Sequence, residues 1–223
     1  TEFSSATSAS RPRSPATASP AARVAYLAVQ QLGRATWQIG SVVARGESAA
    51  SVHASLAGLG GDYARVRTDC RLTGRGASGT ITALYFADGD QMLDFRTFQD
   101  HAAPDTPSNL LFKGAVDDAS ASVYTGLIRV RKGAKGTNAL QTNRNIKLSD
   151  SAWAESVPNL EIRNNDVRCS HASAVGPVDE EQRWTWLGRP VAPRIKAFFL
   201  EHLGWEPAVG LWFDPSTWTD ATT

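Results

Sequence analysis

Residues 159–176, NLEIRNNDVRCSHASAVG, hold two short alternating apolar runs joined only by Asn164, Asn165 and Asp166. Alternation at a period of two is the mark of a strand with one buried face. The joint lacks the Asn-Gly or Asp-Gly pair of a two-residue hairpin, while Asn and Asp tolerate left-handed backbone. It therefore reads as a corner between strands and not as a hairpin.

The same texture extends outward from Ala21 to about Gly176, in runs such as RVAYLAVQQLG, TWQIGSVVARGE, GTITALYFADGD and SVYTGLIRVRKGA, separated by Gly, Asp and Asn. So many short strands suit either an antiparallel sandwich or barrel or a parallel β-solenoid. Hairpin dipeptides are scarce and corner residues common, which favours the solenoid. On that reading Gln141, Asn143 and Asn145 form ladders from rung to rung or sit on an exposed strand face. Residues 21–182 are assigned to the β-helical core.

The flanks differ. Residues 1–20 are almost entirely Ser, Thr, Ala and Pro, with no apolar period, and are expected to be a disordered tail. Residues 183–223 carry Trp184, Trp186, Trp205, Trp212 and Trp218, and VAPRIKAFFLEHLG reads as a short helix with Pro193 near its start and Gly204 at its end. A Trp-rich cap over the open end of the solenoid is expected there.

Composition excludes several function classes. With 42% hydrophobic residues in 223, a real core can form. Lys and Arg number 23 against 22 acids, so no net field draws in nucleic acid. No apolar run reaches membrane-spanning length and no signal peptide opens the chain, so a cytoplasmic protein is expected. Cys70 and Cys169 stand alone, which rules out a disulfide framework or a four-thiolate zinc site within the chain.

Among motifs, Gly74-Arg75-Gly76-Ala77-Ser78-Gly79 matches GxGxxG, but a strand pattern follows where dinucleotide binding needs a helix. It is read as a turn. Asp88, Asp90 and Asp94, with Asp117 and Asp118, allow the alternative of a β-helical carbohydrate-active enzyme using paired carboxylates. His101, beside Asp100 and ahead of Pro104, reads as a turn-pinning residue, and Cys70 as packing. The sharpest local pattern is Cys169-Ser170-His171: on a strand it places a thiol and an imidazole on one face, as candidate metal ligands. Two ligands leave a site incomplete, so the others would come from a partner chain, water or substrate.

These residues, together with Ser108-Asn109-Leu110-Leu111-Phe112-Lys113-Gly114, Tyr124-Thr125-Gly126-Leu127-Ile128-Arg129-Val130, Gln141-Thr142-Asn143-Arg144-Asn145 and Pro158-Asn159-Leu160-Glu161-Ile162, resemble the SufB/SufD family of the SUF iron-sulfur cluster assembly system. The Cys-Ser-His step places the resemblance on the SufD branch. It implies a right-handed parallel β-helix acting as a non-enzymatic scaffold and pairing edge to edge with SufB. Iron or a nascent iron-sulfur cluster would lie at that interface, with no cofactor held by the isolated chain. His171 is then the family's metal-site histidine and Cys169 its neighbouring thiol. The chain is about half the length of a typical SufD, which implies a truncated form. It also departs from the family after Gln182, where the segment leading to SufC-binding helices would follow, so SufC binding is not carried over. An exposed solenoid edge could instead form a homodimer.

Overall fold

The computed structural model describes residues 6–10 and 16–177, and every regular element among them is a strand. Two short strands, β1 (Ala6–Ser10) and β2 (Ala16–Ala18), precede β3 (Arg23–Gln30), β4 (Thr36–Gly46), β5 (Ser51–Gly58), β6 (Tyr63–Leu72), β7 (Ser78–Ala87) and β8 (Met92–His101). The chain continues through β9 (Pro107–Val116), β10 (Ala121–Val130), β11 (Thr137–Lys147), β12 (Trp153–Ile162) and β13 (Val167–Pro177). From β3 onward, successive strands fall alternately in two sheets. One runs β3-β5-β7-β9-β11-β13; the other runs β4-β6-β8-β10-β12, with β1 and β2 both beside β4. Every ladder is parallel, so the chain winds as a parallel β-solenoid. The helical segment expected in residues 183–223 lies outside the described residues.

The strands form where the sequence alternates, and β10 shows why. Ser122, Tyr124, Gly126, Ile128 and Val130 point inward and are buried, while the residues between them are half-exposed. A register slip of one residue would turn that whole set outward, so the pattern fixes the stacking. Equivalent positions form columns through the rungs: Val52, Gly79, Ser108, Ala139 and Cys169 make one.

The corners repeat as well. Ala21, Ala49, Gly76, Asp105 and Gly136 occupy corresponding places and all have positive φ, between 55° and 70°. The first four each donate their N–H to the residue just before their counterpart in the next rung, as in Ala49 to Arg75 O (2.9 Å) and Asp105 to Lys135 O (2.8 Å), while Gly136 donates to Asp166 O (2.7 Å). Left-handed corners were expected at Asn164–Asp166, and here the structure differs, because no residue of that corner has positive φ. The Asn164 side chain turns the chain instead: Oδ1 accepts from the Asp166 N–H (2.9 Å) and Nδ2 donates to Lys132 O (2.7 Å).

Between the sheets, the middle rungs are filled by a stacked aromatic column. Tyr85 and Phe95 have ring centroids 4.7 Å apart, Phe95 and Phe112 5.8 Å, and Phe112 and Tyr124 5.1 Å. Glycines make room for these side chains. A Cβ on Gly114 would overlap the Tyr85 ring, and one on Gly126 would overlap the Gln141 amide and the Tyr124 hydroxyl.

Two stretches read differently in the sequence. Ala6–Ser10 and Ala16–Ala18, within the expected tail, pair with β4 through backbone bonds that need no apolar side chains. β12 begins at Trp153, ahead of the run that opens at Asn159, and carries Pro158 in its middle. Among the described residues β12 pairs only with β10, and an edge strand can accommodate a proline.

Candidate metal centre

Cys169 and His171 lie on β13, the last strand of its sheet among the described residues. Their register partners on β11 are Ala139 and Gln141, both buried, so the thiol and imidazole sit on the interior-facing side of the final rung. Cys169 packs against a small apolar cluster of Ile128, Val130, Ala134 and Ala139. Burial pushes its thiol above the ordinary cysteine value, only partly offset by a hydrogen bond involving the Ala139 backbone. A metal or a cationic partner would be needed to hold it as thiolate at neutral pH. His171 is exposed. The structure thus brings the two sequence-selected residues to one face. Among the described residues no group of three or more His, Cys, Asp or Glu side chains could hold a metal ion.

The interior layer beneath this pair is polar, formed by the Gln141, Asn143 and Asn145 that the sequence reads as a ladder or an exposed strand face. Gln141 and Asn143 are fully buried and Asn145 nearly so. They do not ladder from rung to rung, since their lower partners are Leu110, Phe112 and Gly114. Instead Asn145 donates to Asn143 Oδ1 along the same strand (3.0 Å) and accepts from the Tyr85 hydroxyl. Both amide atoms of Gln141, the Asn143 Nδ2, and the Ser122 and Ser156 hydroxyls have no protein partner. The available signal was the column Ile81, Leu110, Gln141, His171, which turns from aliphatic to polar at β11.

The remaining candidates take structural places. His101 is fully buried, with Nδ1 2.9 Å from Thr106 Oγ1 and Nε2 2.9 Å from Ser108 Oγ. Thr106 donates its hydroxyl proton to Ala103 O and Ser108 accepts from Gln99 Nε2, so the network fits a neutral ring protonated at Nδ1. Burial lowers its pKa to about 4. The residues after the GxGxxG match form β7, as its reading as a turn requires.

The carboxylates do not converge. Asp88 sits in a turn and pairs with Arg34, while Asp94 lies on the outer face of β8, enclosed by Arg65 (3.3 Å) and Arg96 (3.2 Å). Asp118 accepts from the Gly89 N–H through Oδ2 (2.9 Å). A cavity of about 340 Å³, lined mainly by apolar residues including Val24, Val42, Val66 and Phe95, lies toward the opposite end of the solenoid. Strands β5, β7, β9 and β11 separate β3, on its wall, from β13. The cavity is therefore remote from Cys169 and His171.

Comparison with known proteins places the chain in a family. Residues 5–184 match the family model described as SUF system FeS cluster assembly, SufBD core domain. A SufBD family iron-sulfur cluster assembly protein of Mycobacterium tuberculosis is 44% identical over 132 residues, covering 56% of this chain and 33% of that protein. One from Mycobacterium leprae is 39% identical over 157 residues, covering 64% and 40% of the two chains. The iron-sulfur cluster assembly protein SufD of Escherichia coli is 35% identical over 124 residues, covering 56% and 29%. The chain thus spans well under half the length of these relatives. With a parallel solenoid carrying Cys169 and His171 on its last described strand, and a family match over most of its length, the chain belongs to the SufBD core family of the SUF iron-sulfur cluster assembly system.

Proposed function

We propose that this chain is a non-enzymatic scaffold that pairs edge to edge with SufB, and that His171, assisted by Cys169, contributes to an iron or nascent-cluster site shared across that interface. The observation that carries the reading is the position of the pair. Both residues lie on β13, whose only strand partner among the described residues is β11, leaving its other edge open to a further strand. An imidazole and a half-buried thiol are suitable ligands for iron, and two of them are too few to close a site, so a partner would complete the coordination. Iron and cluster are cargo here and not a resident cofactor. The site of action in this reading is the cytoplasm, and no helix among the described residues is long and apolar enough to cross a membrane.

The test is anaerobic co-expression with SufB from the same source, followed by size exclusion and iron and sulfide analysis. Co-elution of an iron-bearing complex, with iron lost in His171→Ala at unchanged fold, is the expected outcome. A wild-type chain that elutes alone or as a homodimer would remove the pairing. Iron retained in the variant complex would remove the ligand.

A further inference from the structure

Gln141 is an anomaly within the core. Its side chain is fully buried, yet neither its Nε2 nor its Oε1 has a hydrogen-bond partner. Leaving a buried polar group unpaired costs about 1–3 kcal/mol, so such groups call for a specific explanation. The residues below Gln141 in its column, Ile81 and Leu110, are aliphatic, so packing alone would be served by a leucine. Directly above it in register stands His171.

In-register residues on neighbouring parallel strands project from the same face, about 4.8 Å apart in the hydrogen-bonding direction. That separation is within reach of a primary amide and an imidazole. Histidines that ligate metal ordinarily donate their other ring N–H to a carbonyl, carboxylate or water, which fixes tautomer and orientation. The Gln141 amide crosses the interior toward Gly126, where the missing Cβ gives it room. The amide oxygen and nitrogen exchange places by rotation about the terminal side-chain torsion, so the carbonyl can be turned toward the ring.

We infer that Gln141 is a positioning residue for His171: its Oε1 accepts one imidazole N–H, fixing the neutral tautomer and leaving the other ring nitrogen free to bind metal. This rests on the reading of His171 as a ligand. It can nevertheless be tested without metal or partner.

The experiment is nitrogen NMR of the full chain labelled at histidine, recorded at pH 8 without iron, with the His171 signals assigned by their loss in His171→Ala. Wild type should show one dominant neutral tautomer. Gln141→Met, near in volume and without a strong acceptor, should move the two nitrogen shifts toward the values of a mixed population. Gln141→Glu, which keeps an acceptor at the same reach, should restore a single tautomer. Identical shifts in wild type and a folded Gln141→Met, checked by its β-rich spectrum, would overturn the inference, as would a mixed population in wild type. If the tautomer responds but iron binding in the SufB complex ignores His171, the positioning stands and the metal role fails.

Discussion

The middle rungs, β5 to β10, and the last three strands, β11 to β13, share one backbone plan but differ inside. The first are packed with Leu56, Ile81, Leu93, Phe95, Leu110 and Phe112, while the second carry Gln141, Asn143, Ser156, Cys169 and His171 on the interior face. Each rung of a solenoid contacts only its neighbours, so stability can be concentrated in one part and chemistry in another. The two cysteines restate the contrast. Cys70 is 2% exposed on β6, its thiol pushed up to about 12 by burial and by the adjacent Asp69, whereas Cys169 is only half-buried.

The sharpest way to break that comparison is thiol labelling of the native protein. Modification of Cys70 requires opening of the middle rungs, on the order of 5 kcal/mol or more, so Cys169 should react at least about 10³-fold faster. Mass spectrometry of time points reads the ratio, and equal rates would show that the two regions open together. Phe112→Ala comes next and should cost about 3–5 kcal/mol in urea unfolding. Leu160, 37% exposed on β12, should cost less than about 1 kcal/mol when truncated in the same way.

Acid unfolding provides a third test. The folded pKa of His101, near 4, lies below the unfolded value of about 6.5, so the unfolded chain takes up the proton first. Stability from this group is complete above about pH 6.5 and falls as pH drops toward 4, by on the order of 3 kcal/mol. Urea midpoints between pH 7 and 4 should show the decline, and a folded His101→Gln should flatten it. An unchanged pH profile in that variant would move the acid sensitivity elsewhere.

Much of this was legible from alternation and corner residues. The strands of the core, the solenoid, and the shared face of Cys169 and His171 all follow from a period of two. The corner geometry was less accessible: Ala21 and Ala49 take left-handed conformations that their side chains do not favour, because the hydrogen bond each makes to the next rung fixes the path. β12 was hidden in part by Pro158, a residue that only the knowledge of an edge position makes acceptable. Asp94 entered the sequence reading only as a possible catalytic carboxylate, but Arg65 on the neighbouring strand covers it on the outer face, and Arg131, just past β10, does the same for Asp100. His101 read as a turn-pinning residue, and only stacking shows that Ser108, on the opposite sheet, bonds both its ring and the Gln99 amide. Such pairings join residues on different strands and leave no local signature. The orphaned amide of Gln141 is of the same kind, since burial and register, not residue type, distinguish it.

The glycines opposite large side chains have a further consequence. Along one interior column the chain places Gly58, Tyr85, Gly114 and Asn145, so small and large alternate from rung to rung. The backbone repeats every rung, but this part of the core repeats every second rung. A chain that wound with one rung skipped would keep its strand ladders while setting Gly58 against Gly114 or Tyr85 against Asn145. The alternation therefore acts as a parity check on assembly, penalising the displacement that a repeating backbone alone would tolerate.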